Sequence, residues 1–412
     1  MWGGNGDRRV GKAPRKVLLL VENAPLPGDP RVWNEAMALR DAGYQVCVIA
    51  PNRTAHPEQA AYSCIEGVHV YRFKLQTARS ALLAYILEYI CALWSMFWLS
   101  VKVWRSHGFD VLHVANPPDL LCLFGLFYWC CGKKIVFDQH DPAPELFQVL
   151  FQGRARLLYR LLCLLEYCSY RCAHVVITTN ESLHRLALER GKCPPEKVFV
   201  VRNGPRLEQI MAQKCHVDPV LPHKKSYILA YVGVMGKQDG VQYALYALHD
   251  LIHIYGRRDV SAVFIGTGSA FPELQALVHQ LKLEEEVFFP GWLTQQEIWS
   301  YLSLAHVGLV PDPQNGLNEY CTLIKVMEYM AMDLPMVAFD LAETRVSAGD
   351  AALYARPNES ADFARQLDLL LNCEALRRRM GALGRTRIVE ALSWEHNQRE
   401  LLAAYGRLFC GE

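Results

Sequence analysis

The sequence predicts an α/β protein built of two doubly wound, Rossmann-like domains in tandem. Short apolar runs such as 16–21 (KVLLLV) and 46–50 (VCVIA) alternate with helical stretches. Uninterrupted apolar strands of this kind are typical of a parallel sheet that helices cover on both faces. A second series of the same form starts at 228–233 (ILAYVG). Between the two series, 200–206 (VVRNGPR) ends a strand in an Asn-Gly-Pro turn, so we expect the domain junction there.

The element order follows from the apolar runs, because each is separated from the next by a helical stretch or a Gly/Pro loop. In the first series, the predicted strands lie at 16–21, 46–50, 111–114, 134–137 and 174–178. In the second series, they lie at 228–233, 262–266, 287–289, 306–310 and 336–339. Ligands of such folds bind beyond the carboxyl ends of the strands, so we expect the functional site in the cleft between the domains.

The strand series sets the expected domain limits. A first domain at 16–205 is followed by a second domain at 206–392. The Gly-rich, basic segment at 1–15 has no apolar stretch, so we expect a loose tail and neither a signal peptide nor a membrane anchor.

Composition excludes several classes of partner. The chain has 43 basic and 42 acidic residues and a formal net charge of +1, so no global charge points to nucleic acid or an acidic polymer. The 14 cysteines are expected to be reduced thiols, and their spacing lacks the second cluster or the histidines of a zinc site. We therefore predict no metal and a cytoplasmic protein.

Two apolar stretches interrupt this pattern, and both fall in the first domain. Residues 80–104 are strongly apolar and rich in Trp and Tyr, but a spanning helix there would put strands of one sheet on opposite sides of a membrane. We expect a buried or membrane-surface helix instead. Residues 154–171 (RARLLYRLLCLLEYCSYR) place four Arg at helical spacing, which fits an interfacial basic helix and an ordinary half-buried helix equally well. Either stretch would allow peripheral contact with the cytoplasmic face of a membrane.

The region 312–354 carries the most chemistry. A helix is predicted at 322–332, just beyond a strand's carboxyl end, and it presents Lys325 and Glu328 on one face. Its N-terminus and the Lys325 ammonium would suit a diphosphate, and the Glu328 carboxylate can accept two hydrogen bonds from a vicinal diol such as a ribose. On spacing alone, a surface ion pair between the two residues would be the favoured alternative.

The stretch 325–354, KVMEYMAMDLPMVAFDLAETRVSAGDAALY, resembles the retaining glycosyltransferases of family 4, which have the GT-B architecture of two facing Rossmann-like domains. The resemblance extends over nearly the whole chain and is closest to bacterial exopolysaccharide or lipid-linked glycan transferases. It implies that Glu328 binds the donor ribose and Lys325 the donor diphosphate. It also implies that 393–412, beginning Ser-Trp-Glu, is a helix that crosses back onto the first domain.

Two positions depart from the common family form. Where that form has a second Glu, this chain has Tyr320, with Glu319 one residue out of register. In the loop 231–240 (YVGVMGKQDG), Val and Asp replace the usual Arg and Lys, which leaves Gly236 and Lys237 as the phosphate candidates. The alternative for this loop is a plain turn between strand and helix.

Further donor contacts are expected at other strand ends. The resemblance places Gly266 and Gly268 near the nucleotide and Trp292 near the base, although Trp292 would also suit a core position. In the first domain, Gly28 allows close backbone approach to donor and acceptor, and Arg31 supplies a rigid donor fork. A Pro-rich turn with Arg31 in solvent is the alternative there.

The first domain also contributes the expected contact to the transferred sugar. Residues 138–141 (DQHD) resemble the family's His-Asp element, which implies that His140 contacts the sugar, with Asp141 beside it. His113 lies within a strand and is expected only to support the site, as is Glu319.

The resemblance implies a cofactor-free, metal-independent hexosyltransferase that uses a nucleoside diphosphate sugar and retains the anomeric configuration. The acceptor is expected to be a glycan or glycolipid, lipid-linked or close to a membrane. Three alternatives remain: a nucleotide-sugar epimerase on the same fold, a catalytically inactive scaffold, and a membrane-spanning protein built on 80–104. An epimerase would need its own acid and base carboxylates, and an inactive scaffold would bind no nucleotide.

Overall fold

The computed structural model describes residues 14–22, 24–52, 60–74, 82–151, 156–208, 221 and 225–409, with the backbone alone at 82–89 and 150. It confirms the predicted fold class, two α/β domains that are each built on one largely parallel sheet. Most of the predicted N-terminal tail, 1–13, lies outside the described residues, as do the first residues of the two apolar stretches, 80–81 and 154–155.

The first domain contains an eight-stranded sheet of order β3-β4-β2-β1-β5-β6-β7-β8. Its strands are β1 (Lys16–Leu20), β2 (Gln45–Asn52), β3 (Tyr62–Ile65), β4 (Val68–Lys74), β5 (Val111–Ala115), β6 (Lys134–Gln139), β7 (Val175–Thr178) and β8 (Val198–Val200). All neighbouring strands pair in parallel except β3 and β4, which form an antiparallel edge. This edge was not predicted from the sequence, because its alternating polar residues differ from the continuous apolar runs of the central strands.

Helices cover both faces of the first sheet. They are α1 (Pro30–Asp41), α2 (Leu82–Ser106), α3 (Cys122–Cys130), α4 (Ala143–Leu150), α5 (Arg156–Cys172) and α6 (Glu181–Glu189). Helix α1 packs on one face, with Val32, Ala36 and Leu39 in the core. Helices α2 and α3 pack on the other, where Met96 and Phe124 are buried. No helix in the described part of the chain is long and apolar enough to span a membrane.

The second domain contains a six-stranded sheet of order β11-β10-β9-β12-β13-β14, in which every pairing is parallel. Its strands are β9 (Tyr227–Val232), β10 (Val260–Ile265), β11 (Val287–Gly291), β12 (Val307–Val310), β13 (Met336–Phe339) and β14 (Ala352–Ala355). Its helices are α7 (Val241–His253), α8 (Phe271–Leu281), α9 (Gln295–Leu304), α10 (Ile324–Ala331), α11 (Ala342–Ala348), α12 (Ser360–Asn372) and α13 (Glu374–Arg387).

The last helix, α14 (Trp394–Arg407), returns to the first domain. Trp394, Leu401 and Tyr405 are buried among the residues of β1, β2 and α1. The Trp394 amide donates a hydrogen bond to the carbonyl of Pro205 in the linker (3.0 Å). The two segments that connect the domains therefore lie side by side.

Candidate active site

A cavity of about 440 Å³ lies between the two domains, beyond the carboxyl ends of their strands. The first domain lines it with Gly28 and Arg31, at the start of α1, and with the linker residues 203–206. The second domain lines it with Trp292 and Glu328. Four of the predicted donor-binding residues, distant in the chain, therefore meet on one cavity.

Glu328 lies on α10, with its carboxylate at the cavity wall. The side-chain amide of Gln295, at the start of α9, donates a hydrogen bond to Oε1 (3.1 Å). Burial raises the pKa of Glu328 above its usual value, and this hydrogen bond partly offsets the effect. Gln295 was not identified from the sequence, because nothing near it in the chain indicates that it faces Glu328.

Lys325, one turn earlier on α10, is buried, pairs with Asp312 and does not line the cavity. Its ammonium donates to both carboxylate oxygens of Asp312 (2.9 and 2.8 Å) and lies 4.7 Å from the centroid of the Tyr231 ring. Burial would lower the pKa of Lys325, but the Asp312 and Asp239 carboxylates raise it above its usual value. The alternative of a surface Lys325–Glu328 ion pair is therefore wrong, since Lys325 is buried and pairs elsewhere.

In the second domain, the loop after β9 (233–240) and the loop after β10 (266–270) pack on each other beside Lys325. A Cβ at Gly266 would collide with the Gly233 carbonyl, and one at Gly268 with the Met235 carbonyl, so both glycines permit this close approach. Neither residue lines the cavity. Their observed contacts serve the packing of the loops.

The loop after β9 contains the acidic side chain of Asp239. The Gly236 amide donates to the Asp239 carboxylate (2.8 Å), and the Lys237 side chain is exposed; neither Gly236 nor Lys237 lines the cavity. Burial raises the pKa of Asp239 to about 6, with Lys325 opposing that rise. Two carboxylates thus surround the single Lys325 ammonium, an arrangement that the sequence analysis did not anticipate.

Trp292 lies on the cavity wall with 62% of its surface exposed, so the alternative of a core position is wrong. It follows β11 immediately, at the left-handed turn of Gly291 (φ 81°). An exposed indole at a cavity offers a flat surface on which a planar ring can stack.

Arg31 differs from its predicted role as a phosphate-facing fork. Its Nε and Nη2 donate to Asp138 (3.2 and 2.5 Å), and its Nη1 donates to the Val201 carbonyl and to the Asn203 side chain (2.7 and 2.6 Å). Nη2 also lies 3.2 Å from Glu35. The structure corrects the prediction, because the guanidinium is buried and its donors face acceptors within the protein. These contacts hold the linker against α1 and β6. The alternative of Arg31 in solvent is equally wrong.

His140 follows β6 and is held from two sides. Its Nε2 lies 2.5 Å from Asp138 Oδ2, and its backbone amide donates to the side chain of Asn116 (2.7 Å). Burial opposes ionisation of Asp138, but the Arg31 guanidinium and His140 hold its pKa well below its usual value. An ionised Asp138 therefore orients the imidazole. Asp138 begins the DQHD element, but no role was predicted for it from the sequence.

Asp138 also belongs to a buried cluster with Glu35 and His113. One carboxylate oxygen of each acidic residue and one imidazole nitrogen of His113 all lie within 4.8 Å of one another. Arg31 supplies a positive charge to this cluster. Burial next to Asp138 raises the pKa of Glu35 well above its usual value, and burial lowers the pKa of His113. His113 Nδ1 lies 2.8 Å from the Tyr405 hydroxyl, so His113 connects α14 to the cluster.

The remaining predicted residues lie at the edge of the site. Burial raises the pKa of Asp141, whose carboxylate accepts a hydrogen bond from the Cys321 thiol (3.6 Å) and thereby joins the two domains. Glu319 accepts a hydrogen bond from Gln314 (2.7 Å) and does not line the cavity.

Two family descriptions match the chain, one for each domain. Residues 29–204 match the family described as glycosyl transferase 4-like domain, and residues 226–373 match glycosyl transferases group 1. The chain belongs to the family 4 type of glycosyltransferase. The resemblance seen in the stretch that follows Lys325 is thereby confirmed, together with the GT-B architecture.

Among curated relatives, this family 4 chain is 28% identical over 155 residues to the alpha-D-kanosaminyltransferase of Streptomyces kanamyceticus. That match covers 37% of this chain and 38% of the relative. The matches cover less than two thirds of the lengths of the first four curated relatives.

Two solved structures share the fold over nearly the full chain. Sucrose-phosphate synthase from Thermosynechococcus elongatus superposes with a TM-score of 0.74 at 17% identity, over 97% of this chain and 100% of that one. The Anabaena protein HepE, in complex with UDP and glucose, gives a TM-score of 0.69 at 14% identity, over 95% and 99%.

Proposed function

We propose that this family 4 chain transfers a sugar from a nucleoside diphosphate sugar to an acceptor hydroxyl with retention of the anomeric configuration. The observation that carries the proposal is the Glu328 carboxylate at the wall of an interdomain cavity that also exposes Trp292. A carboxylate suits a ribose diol, and an exposed indole suits a base. The presence of UDP and glucose in the HepE structure supports this type of donor.

The diphosphate would lie at the N-terminus of α10. No side chain in the described part of the chain caps that helix, and Lys325 stands in its first turn. Two of the three ammonium donors of Lys325 are directed at Asp312, which leaves one for a phosphate oxygen. With Arg31 engaged elsewhere, the ammonium and the amides of the first turn are the groups that would stabilise the leaving diphosphate.

The reaction would proceed on one face of the sugar. The bond between the anomeric carbon and the β-phosphate oxygen breaks, and the acceptor oxygen bonds to that carbon from the same side. The departing phosphate oxygen takes the acceptor's proton, so no protein nucleophile is required. His140, oriented by Asp138, would position the transferred sugar.

We further propose an acceptor that is lipid-linked or close to a membrane, because the helices α2 and α5 of the first domain present apolar and basic side chains to solvent. We propose metal-independent operation, since Lys325 and the helix N-terminus already supply positive potential at the phosphates.

A thermal-shift screen against uridine and guanosine diphosphates and their sugars tests the donor proposal. We expect stabilisation by one of these series, and we expect Lys325→Met to reduce it far more than Lys237→Met, the matched change at an exposed lysine. Equal effects of the two substitutions, or no response to any nucleotide, would contradict the proposal.

Product analysis tests the reaction. With the identified donor, NMR of the transferred sugar should show the donor's anomeric configuration, and a chelator should leave the rate unchanged. An inverted product would exclude retention. Conversion of the donor to its epimer without an acceptor would favour an epimerase.

A further inference from the structure

The three helices α2, α3 and α5 carry an unusual concentration of exposed apolar side chains. Half of the large apolar side chains that are exposed among the described residues belong to these helices. The exposed fractions are 64% for Trp94, 53% for Trp98, 51% for Trp129 and 82% for Leu157. Contiguous exposed apolar surface of this kind marks an interaction site rather than the ordinary scatter of single residues.

These side chains form one continuous surface, called here the apolar face. On α2, the Trp94 and Trp98 rings pack edge to face with centroids 5.7 Å apart. The Phe97 ring of α2 lies 5.4 Å from the Phe127 ring of α3, and α3 in turn packs against α5. The inner sides of α2 and α3 are buried on the first sheet, so the apolar face is the outer surface of a layer that already has its core.

The exposed charges that the structure describes on the apolar face have one sign. Every exposed charged side chain that the structure describes on these three helices is basic: Lys102, Arg105, Arg156, Arg160 and Arg171. The acidic Glu166 of α5 is buried against Arg190. Exposed apolar and aromatic side chains with Arg and Lys on the same helices are the composition of a surface that lies in the headgroup region of an anionic bilayer.

The apolar face ends next to the active site. Helix α3 starts just after the loop of Asn116, whose side chain accepts the hydrogen bond from the His140 amide. Helix α5 contacts the same loop, because the Ser169 hydroxyl lies within hydrogen-bond distance of the Asp119 carbonyl (3.4 Å). A bilayer on the apolar face would therefore lie beside the loop that contacts the His140 amide.

We infer that α2, α3 and α5 together dock the protein onto an anionic lipid bilayer, which brings a lipid-linked acceptor to the His140 side of the cleft. The lipid-linked acceptor in this inference rests on the proposed function, whereas the docking does not. Helix α3 was not among the stretches predicted from the sequence to contact a membrane. Each Arg near an anionic surface contributes about fivefold to binding, and each buried aromatic side chain about tenfold or more.

Flotation of the full chain with vesicles tests the docking. We expect binding to phosphatidylcholine vesicles that contain phosphatidylglycerol, weak binding to pure phosphatidylcholine, and release by salt. The pair Trp94→Ser and Trp98→Ser should weaken binding about tenfold or more per residue, and the pair Arg156→Gln and Arg160→Gln about fivefold per residue.

The matched control replaces exposed apolar residues of the second domain, Ile254→Ser with Leu369→Ser, and should leave vesicle binding unchanged. Should the tryptophan pair fail to fold, Leu157→Ser and the arginine pair carry the same test. Absence of binding to anionic vesicles, or an equal loss in the control, would overturn the inference. So would a dimer in light scattering that the tryptophan pair converts to a monomer without any vesicle binding.

The thermal response to nucleotide sugars separates this inference from the proposed function. A protein that responds to nucleotide sugars but ignores anionic vesicles overturns the docking alone. A protein that binds such vesicles but responds to no nucleotide overturns the proposed function and leaves the docking supported.

Discussion

Replacing Glu328 with glutamine keeps the shape of the side chain and removes its negative charge. In the structure, Oε1 already accepts a hydrogen bond from Gln295, and the rest of the carboxylate faces the cavity. A ribose diol can donate two hydrogen bonds to such a group. Hydrogen bonds to a charged group contribute about 1.5–3 kcal/mol each, and the amide of glutamine retains one neutral acceptor. We therefore expect Glu328→Gln to cost about 2 kcal/mol, or about 30-fold in Kd.

Calorimetric titration with two ligands isolates the ribose contact. The first ligand is the nucleoside diphosphate chosen by the thermal-shift screen, and the second is its 2′,3′-dideoxy analogue, which lacks the diol. Glu328→Gln should weaken binding of the first ligand about 30-fold and leave binding of the second nearly unchanged. Glu319→Gln, the same chemical change outside the cavity, should alter neither affinity.

The result that would refute the reasoning is an equal loss for both ligands. In that case, Glu328 would act through the general charge or packing of the cavity and not through the diol. A loss with Glu319→Gln equal to that with Glu328→Gln would place the ribose contact elsewhere in the loop.

Four other substitutions have expected outcomes that follow from the charges of the site and its surroundings. Burial raises the pKa of Asp239 to about 6, so its carboxylate ionises as the pH rises through 6 and would then repel the diphosphate of the proposed donor. Asp239→Asn should therefore tighten calorimetric binding of the nucleotide sugar at pH 7.5 and have little effect at pH 5; equal effects at both would contradict this. His140→Gln should lower kcat about 100-fold, with a smaller effect on donor Kd, because the contact positions the sugar for reaction. Asp138→Asn should show the same split and also lower Tm, since it removes the anion beside Arg31; an unchanged kcat in either variant would argue against positioning of the sugar. Burial raises the pKa of Asp119 to about 7, so the folded state holds a proton that the unfolded state releases near pH 4, and stability falls as the pH rises between these values. Asp119→Asn should remove this dependence and raise stability at pH 8 by at most about 4 kcal/mol, seen as a higher Tm at pH 8 but not at pH 4.

Much of the fold could be predicted from the chain itself, because its signals are local. The central strands of both sheets lie where continuous apolar runs predicted them, since a strand buried on both faces must be apolar throughout. The antiparallel edge β3–β4 was missed because its half-exposed strands carry alternating polar residues. Gly28, Trp292 and Glu328 were found because residues that follow strands of a parallel sheet converge at one edge.

The sequence by itself thus determined the two-sheet architecture, the position of the cleft and several residues on its wall. Only the tertiary structure decided which partners these residues have. Arg31 is bound by Asp138, 107 positions away, and Lys325 by Asp312 rather than by its helical neighbour Glu328. Pairing between distant charges depends on burial and on which residues the fold brings together, and the local spacing of residues in the sequence predicts neither. The same holds for the apolar face, because the outer side of α3 becomes a surface only when α2 and α5 are packed beside it.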